Sequence, residues 1–346
     1  MRLIVHAPNV HQGGGKSLLL PLLRSAQKQA AVTALLDRRM EITDALGTGM
    51  TIMRVNPTVF GRLRGEWMLR RLARESDKVL CFGNLPPLFQ LRGKSILFLQ
   101  NRYLVERLDL KGFALKVKLR LMAERLWLRL FNAHATRVVV QTRSMQQAAV
   151  ETLRRPVDVA ALFPDSPGNG RRETEKDAAR HKAYDFIYVA TGEPHKNHAN
   201  LIHAWRMLAS DGLHPSLCVT VSESDYPSLF RVIEEAKIDN KLNIENVRAS
   251  SIDDVQRLYK ASRALVYPSR LESFGLPLLE AREAGLAIIA SELDYVRDVV
   301  DPEETFDPTS PLSIARAVRR FLGSPESPQP VCGAEEFVQS LLAMAR

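Results

Sequence analysis

Short apolar runs alternate with amphipathic helical patterns along nearly all of this 346-residue chain. In the first half, runs with strand character occupy residues 3–7, 32–36, 51–55, 78–82, 95–99 and 137–141. In the second half, they occupy residues 186–190, 217–221, 264–267 and 286–290. Such alternation is typical of parallel sheets with helices on both faces. The pattern therefore predicts an α/β chain.

A polar, charged stretch interrupts this alternation at residues 166–182 and contains Gly168 and Gly170, as linkers do. The chain is long enough for two domains with separate cores. We therefore predict two doubly wound, Rossmann-like domains, over residues 1–165 and 183–325. Prolines 325, 328 and 330 then precede a predicted tail helix within residues 326–346.

Charge is distributed unevenly between the two halves. Residues 1–160 carry 27 Lys+Arg and 11 Asp+Glu, a balance of +16. The remaining residues carry 21 Lys+Arg and 28 Asp+Glu, a balance of −7, and the two balances sum to the net charge of +9. A basic half attracts nucleic acid, an anionic membrane surface or an acidic acceptor. The three cysteines have no disulfide or metal-ligand spacing, and no apolar run is long enough for a signal peptide or a membrane span. We therefore expect a cytoplasmic protein.

The chemically most informative segment runs from Val266 to Glu280 and reads Val-Tyr-Pro-Ser-Arg-Leu-Glu-Ser-Phe-Gly-Leu-Pro-Leu-Leu-Glu. It places Glu272 at a turn between a strand and a helix, and Glu280 about two helical turns further on. Glycine at the turn allows close backbone approach, and the unpaired N–H groups of a helix start suit a phosphate. One carboxylate can then reach a sugar while the other holds a ribose diol. Two glutamates at this spacing can also form an ordinary solvated helix face.

The whole string resembles the E-x7-E motif of retaining glycosyltransferases with the GT-B fold, above all glycosyltransferase family 4. The resemblance implies two Rossmann-like domains facing a cleft, with a C-terminal helix crossing back to the first domain. It also implies a nucleotide-sugar donor site that includes Glu272, Ser273, Phe274, Gly275, Leu276 and Glu280. Glu280 would bind the ribose hydroxyls and Glu272 the hydroxyls of the donor sugar.

Three further segments resemble donor-binding parts of the same family. Lys196 follows a strand in Ala190–His198 and occupies the position of the lysine that binds the diphosphate, but the family's arginine is missing near Thr191. Gly14 and Gly15 resemble the N-terminal glycine-rich loop, although a simple strand-to-helix turn explains them too. Arg248 lies in a loosely matching segment that would contact the nucleobase, although a strand followed by an amphipathic surface helix explains the segment equally well. Neither a P-loop nor a dinucleotide fingerprint fits the glycine spacing.

On the acceptor side, Gln100 and Asn101 replace the histidine that many family members place opposite the donor sugar. Both can orient hydroxyl groups but cannot act as a base, and His11 is a weak substitute. His195 and His198 lack a convincing third ligand, so we expect no metal. We expect no cofactor beyond the nucleotide-diphosphate sugar as co-substrate.

The segment from 102 to 131 favours a membrane partner. Its basic residues recur on one predicted helix face (Arg107, Lys111, Lys118, Arg125 and Arg129), next to an apolar stripe of Leu115, Leu119, Met122, Leu126 and Leu130. A second basic cluster contains Arg54, Arg62, Arg64, Arg70, Arg71 and Arg74, with Phe60 and Trp67. Such a surface suits an anionic inner-membrane leaflet. Equally, the apolar stripe can face the protein core while the basic residues on the opposite side of the helix face solvent. No nucleic-acid-binding motif is present.

Together these features predict a retaining glycosyltransferase, of hexosyltransferase type. It would move a hexose from a nucleotide-diphosphate sugar to a hydroxyl of a saccharide or lipid-linked saccharide, in O-antigen, lipopolysaccharide or capsule assembly. Glu272 and Lys196 would be its catalytic residues, with Lys196 and nearby backbone amides stabilising the departing diphosphate. The alternatives are a GT-B sugar-nucleotide epimerase or hydrolase, and a non-catalytic GT-B binding module.

Overall fold

A computed structural model of the chain describes residues 2–42, 49–106, 113–162, 182–248 and 251–326. These residues form two α/β units, each built on one parallel sheet. The predicted linker lies outside the described residues except for Lys182, and so does the predicted tail helix after Glu326.

The first sheet has seven strands in the order β3-β2-β1-β4-β5-β6-β7. They are β1 (Arg2–Ala7), β2 (Ala31–Asp37), β3 (Met50–Val55), β4 (Lys78–Cys81), β5 (Lys94–Phe98), β6 (Arg137–Val140) and β7 (Asp158–Val159). Its helices are α1 (Gly13–Gln29), α2 (Val59–Leu72), α3 (Leu115–Phe131) and α4 (Arg143–Leu153). Buried side chains of α2, α3 and α4 form one core on one face of this sheet, and α1 packs into a separate core.

The second sheet has six strands in the order β10-β9-β8-β11-β12-β13. They are β8 (Tyr184–Tyr188), β9 (Leu217–Val219), β10 (Ile244–Asn246), β11 (Ser262–Tyr267), β12 (Ala287–Ser291) and β13 (Glu304–Phe306). Its helices are α5 (His198–Ser210), α6 (Pro227–Asp239), α7 (Ile252–Lys260), α8 (Leu276–Glu283), α9 (Asp294–Arg297) and α10 (Pro311–Phe321). A single apolar core fills this unit.

The predicted fold class is confirmed, because both sheets are parallel and covered by helices. Every run interpreted as a strand overlaps an observed strand. The sequence missed β7, β10 and β13, which are two or three residues long and form sheet edges. Edge strands of this length carry too little apolar periodicity to be recognised.

The predicted helix at 102–131 is partly wrong. Arg102–Leu104 form a 3₁₀ turn, and the α-helix begins only at Leu115. Arg107 and Lys111 lie outside the described residues. Arg125 donates hydrogen bonds to the carbonyl oxygens of Tyr103 and Glu106, at 2.7 and 2.9 Å, so it braces the turn instead of facing solvent.

The apolar stripe of α3 does not face the core. Its five members are between 57% and 72% exposed, and the core contacts come from Leu121 and Leu128 on the other side of the helix. The core-facing interpretation of the stripe is therefore wrong. In the second basic cluster, Arg54 donates to the carbonyl oxygens of Asp37 and Met40, and Arg62 pairs with Glu66.

The two units contact each other along the carboxyl ends of their strands. The amide N–H of Arg102 donates to Ser273 Oγ at 3.0 Å, and the amide N–H of Ser144 donates to Asp298 Oδ2 at 2.9 Å. Ligands of open parallel sheets bind at this edge. The fold therefore brings the segments singled out in both halves to one cleft.

Buried histidines should make the protein sensitive to mild acid. Burial, and after it the charge of nearby Lys196, lower the pKa of His198 to about 3, and Glu193 opposes them. In the unfolded chain a histidine titrates near 6.5, so as the pH falls from there towards 3 the unfolded state binds a proton that the folded state does not. The free energy of unfolding therefore falls over this window.

We expect His198→Phe to flatten this dependence, since phenylalanine retains the packing against the ring of Tyr188, 4.8 Å away. The measurement is the unfolding midpoint between pH 8 and pH 4.5. His203→Phe on the same helix is the control, because His203 is exposed. If the unfolding midpoints of wild type and His198→Phe fell equally between pH 8 and pH 4.5, the assignment of a neutral, buried His198 would be contradicted.

Candidate active site

The turn between β11 and α8 presents an open helix start. Gly275 precedes α8 with a φ of +77°, and no side chain caps the helix at this end. A Cβ at Gly275 would stand 2.9 Å from Leu278 Cδ1, so the buried Leu278 side chain would have to shift to admit one. Pro277 has no N–H and the Leu278 N–H donates to the Gly275 carbonyl oxygen at 2.9 Å, so the Leu276 N–H and the positive dipole end of α8 are the groups that this helix start can offer to an anion.

Glu272 and Lys196 form an ion pair at this turn. Lys196 Nζ lies 2.7 Å from Glu272 Oε1, and the hydroxyl of Tyr267 donates to the same oxygen at 2.9 Å. The two side chains are 16% and 13% exposed. A lysine has three N–H donors, so Lys196 can keep Glu272 and still bind a phosphate.

The backbone around Lys196 is tied to its surroundings by hydrogen bonds. The Tyr188 hydroxyl donates to the Lys196 carbonyl oxygen at 2.6 Å. The amide N–H of Arg270, in the motif, donates to the His195 carbonyl oxygen at 2.8 Å. Both bonds hold the main chain of the 3₁₀ turn Pro194–Lys196, so the lysine side chain extends from a fixed base.

Asn197 joins the lysine loop to the glutamate loop. It adopts a φ of +65° and donates through Nδ2 to the carbonyl oxygens of Pro268 and Pro308, at 2.9 and 2.8 Å. Helix α5 begins directly after Asn197. The lysine therefore precedes a helix start that is anchored to the motif.

Glu280 lies on α8 and is held by a tyrosine from α7. The Tyr259 hydroxyl donates to Glu280 Oε2 at 3.1 Å. Burial raises the pKa of Glu280 above its ordinary value, the hydrogen bond from Tyr259 opposes that rise, and Glu283 adds to it. A shielded carboxylate with a fixed orientation is suited to accept hydrogen bonds from a diol.

The first domain approaches the motif through its glycine-rich segment. A Cβ at Gly14 would stand 3.3 Å from Leu276 Cδ1, and one at Gly15 would stand 3.2 Å from Val10 Cγ1. Gly14 thus lets the start of α1 lie directly against the start of α8. The structure thus brings Gly14 and Leu276, both predicted to line the donor site, together across the cleft.

Tyr103 also faces the donor-side loop from the first domain. Its ring lies 5.8 Å from that of His195, centroid to centroid. Burial, and after it the carboxylates of Glu272 and Glu193, raise the pKa of Tyr103 to about 12. Tyr103 therefore keeps its proton and can donate a hydrogen bond at neutral pH.

The predicted acceptor-side residues are already engaged in local bonds. Gln100 donates through Nε2 to the Phe82 carbonyl oxygen at 3.2 Å, and the Asn101 side chain accepts from the Tyr103 amide at 3.1 Å. The Asn84 side chain accepts from the amides of both Gln100 and Asn101. The hydrogen bonds of Gln100 and Asn101 thus stabilise the conformation of the loop after β5.

Two other predicted residues are less closely tied to the motif. His11 is partly buried, with Nδ1 3.9 Å from Asp37 Oδ2. Arg248 is exposed two residues after β10, the edge strand, and no described contact joins it to Glu272 or Glu280. Within the described ranges, no group of three or more His, Cys, Asp or Glu side chains is arranged to hold a metal ion.

Sequence reasoning missed the residues that position the two glutamates. Tyr267 was part of the quoted string but had no role, and Tyr259 lies 21 positions from its partner Glu280. Arg102 and Ser273 are 171 positions apart. The hydrogen bonds of Tyr259 and Arg102 depend on how elements pack, and periodicity carries no signal for them.

Solved structures identify the architecture as GT-B. The chain is similar to a sucrose-phosphate synthase from Thermosynechococcus elongatus, with a TM-score of 0.68 and 15% identity over 94% of this chain and 90% of that one. It is also similar to Anabaena HepE in complex with UDP and glucose, with a TM-score of 0.60 and 16% identity over 93% and 90% of the two chains. At such identities the likeness establishes the fold alone.

The sequence of the second domain matches a known family. Residues 170–331 match the family model for glycosyl transferases group 1. The resemblance to GT-B glycosyltransferases that the motif indicated is thereby confirmed, at the level of group 1. Membership of family 4 remains a prediction.

Curated relatives resemble parts of the chain. The serotype-specific mannosyltransferase WbdA of Escherichia coli is 31% identical over 148 residues, which are 42% of this chain and 18% of that protein. The O-antigen chain mannosyltransferase B of Escherichia coli is 26% identical over 175 residues, which are 50% of this chain and 42% of that protein. The chain thus matches less than half the length of either relative.

Proposed function

We propose that this protein is a retaining glycosyltransferase that transfers a hexose from a nucleotide-diphosphate sugar to a hydroxyl of a saccharide or lipid-linked saccharide. The observation that carries the proposal is the Lys196–Glu272 pair, 2.7 Å apart beside the uncapped start of α8. This arrangement offers a cation and a backbone N–H to a diphosphate, with a carboxylate next to them for sugar hydroxyls.

In the proposed reaction, the bond between the sugar C1 and the diphosphate oxygen breaks as a bond from C1 to the acceptor oxygen forms on the same face. The acceptor proton passes to the leaving diphosphate, so no protein base is required at Gln100 or Asn101. Lys196 and the Leu276 N–H at the start of α8 stabilise the charge on the leaving group. Glu272 holds the donor sugar, and Glu280 holds the ribose.

The proposed biological setting is the assembly of a surface polysaccharide such as O-antigen, lipopolysaccharide or capsule. The names of the curated relatives support this setting and make mannose the first sugar to test. The UDP bound in the HepE structure supports a UDP-linked donor, although the likeness to HepE extends only to the fold. The experiment therefore compares donors with different nucleotide bases.

The test is incubation with UDP-, GDP- and ADP-hexoses, with and without simple mannosides and glucosides as acceptors. We expect release of a nucleoside diphosphate that depends on the acceptor, and a product whose anomeric proton coupling shows retention. Release without an acceptor would indicate a hydrolase, and rearranged sugar nucleotide an epimerase. Binding without turnover would favour the binding module, and each of these three results would overturn the proposal.

A further inference from the structure

The outer faces of α2 and α3 carry large apolar side chains in solvent. On α3 they are the five stripe residues Leu115, Leu119, Met122, Leu126 and Leu130, and on α2 they are Val59, Phe60, Leu63 and Trp67. The two helices are neighbours, since the guanidinium of Arg62 lies 5.5 Å from the ring centroid of Trp127. We call these nine residues the apolar face. Contiguous exposed apolar surface of this kind marks an interaction site.

Helix α3 is apolar on two opposite sides. Leu121 and Leu128 are buried against the sheet, and each lies two positions after an exposed leucine, Leu119 or Leu126. Two positions correspond to about 200° around a helix. Packing in the core therefore explains the side of α3 that carries Leu121 and Leu128. Among the described residues, it does not explain the opposite side, which carries the exposed stripe.

Basic residues on α2 and α3 flank the apolar face, and exposed Glu151 of α4 lines the groove beside Met122 and Leu126. The exposed positions Lys116, Arg120 and Arg129 border the stripe on α3, and Arg64, Arg70 and Arg71 lie on the outside of α2. The only acidic residues within these helices are Glu66, which is buried, and Glu124, which is partly buried. Arg71 lies 3.5 Å from the ring centroid of Trp67, so a cation stands directly on an exposed aromatic ring.

The apolar face begins beside the cleft. Helix α2 follows β3 and α3 follows β5, so their first turns lie near the carboxyl edge of the sheet. The short turn before α3 contains Arg102, whose amide contacts Ser273 of the donor-side motif. Val59, Phe60 and Leu115, at the helix starts, therefore lie on the side of the molecule where the cleft opens.

We propose that this face docks on an anionic lipid bilayer. Apolar side chains flanked on α2 and α3 by lysine and arginine, with no exposed acid on either helix, match a surface of acyl chains below anionic headgroups. A bilayer at this face would present a lipid-linked substrate next to the cleft. The docking rests on surface residues alone and does not depend on the proposed transfer reaction.

The experiment is co-sedimentation of the full chain with vesicles of phosphatidylglycerol and phosphatidylethanolamine, compared with phosphatidylcholine vesicles. We expect binding to the anionic vesicles that is at least about tenfold tighter and weakens as salt rises. The double variant Leu119→Gln/Leu126→Gln should bind them about tenfold more weakly, and so should Lys116→Gln/Arg120→Gln/Arg129→Gln. Unchanged unfolding midpoints would show that both variants fold.

The matched control is Ile238→Gln/Ile252→Gln, which removes two apolar side chains of the second domain that are also exposed. Its binding should equal that of wild type. Absence of binding by wild type, or equal loss in the control, would overturn the proposal. So would a concentration-dependent dimer that the leucine variant abolishes without any vesicle binding, because the face would then join two copies of the chain. No sugar nucleotide is present, so the result is separate from the proposed reaction.

Discussion

Replacing Lys196 with alanine should lower kcat/KM for the sugar donor by roughly 10²- to 10³-fold, the usual cost of removing one preorganised group that stabilises charge in a transition state. Lys196 is the cation paired with Glu272 at the start of α8, and the family's arginine near Thr191 is missing. The loss should appear mainly in kcat, because the charge on the diphosphate grows as the sugar leaves.

The same variant should remain folded. Glu272 would keep the hydrogen bond from Tyr267, and the loop would keep the bonds of Asn197 to Pro268 and Pro308. Lys237→Ala is the matched control, since Lys237 also pairs with a glutamate, Glu234, but on the outside of α6. The measurement is steady-state release of the nucleoside diphosphate. Activity of Lys196→Ala within about threefold of wild type would contradict the role given to this lysine.

Replacing Gly275 with alanine should both destabilise the protein and weaken donor binding. The residue has a φ of +77°, and its new Cβ would stand 2.9 Å from Leu278 Cδ1. A left-handed conformation costs a non-glycine residue about 1–2 kcal/mol, and crowding adds to this cost. Relief of the contact would displace the buried Leu278 side chain, and with it the start of α8, where the Leu276 N–H is proposed to bind the diphosphate.

Gly285→Ala provides the control at the other end of α8. Gly285 has nearly the same φ, +76°, but its Cβ would meet nothing within 4 Å. Its free energy of unfolding, measured in urea, should fall by about 1–2 kcal/mol with no change in nucleotide affinity. Gly275→Ala should lose more stability and at least about tenfold in nucleotide affinity, since a shift of the Leu276 amide removes a charge-assisted hydrogen bond. Equal nucleotide affinity in the two variants would show that α8 does not contact the donor.

The donor side could be predicted because its determinants are contiguous. The string from Tyr267 to Glu280 contains a strand end, a glycine turn and a helix start, and local rules suffice to place them. Lys196 was recognised in the same way, from its position after a strand. Its contact with Glu272 at 2.7 Å joins residues 76 positions apart, and the family resemblance assigned both residues to the donor site without predicting this contact.

In the first domain, the orientation of α3 and the roles of loop residues could not be predicted from the sequence, for a physical reason. Periodicity shows which residues of α3 share a side but not which side meets the sheet, and α3 has leucines on both. Burial of Leu121 and Leu128 decides the matter in the folded chain. The roles of Asn84 and Tyr103 likewise arise from packing of loops that carry no recognisable pattern.

The most direct test of the account is nucleotide binding to wild type and to Glu280→Ala, followed through the unfolding midpoint with UDP, GDP and ADP. The account predicts that at least one nucleoside diphosphate stabilises wild type, by about 2.7 kcal/mol at a hundredfold excess over its dissociation constant. It predicts a clearly smaller shift in the variant, because Glu280 is proposed to hold the ribose. A well-folded wild-type protein that no nucleotide stabilises would contradict the account.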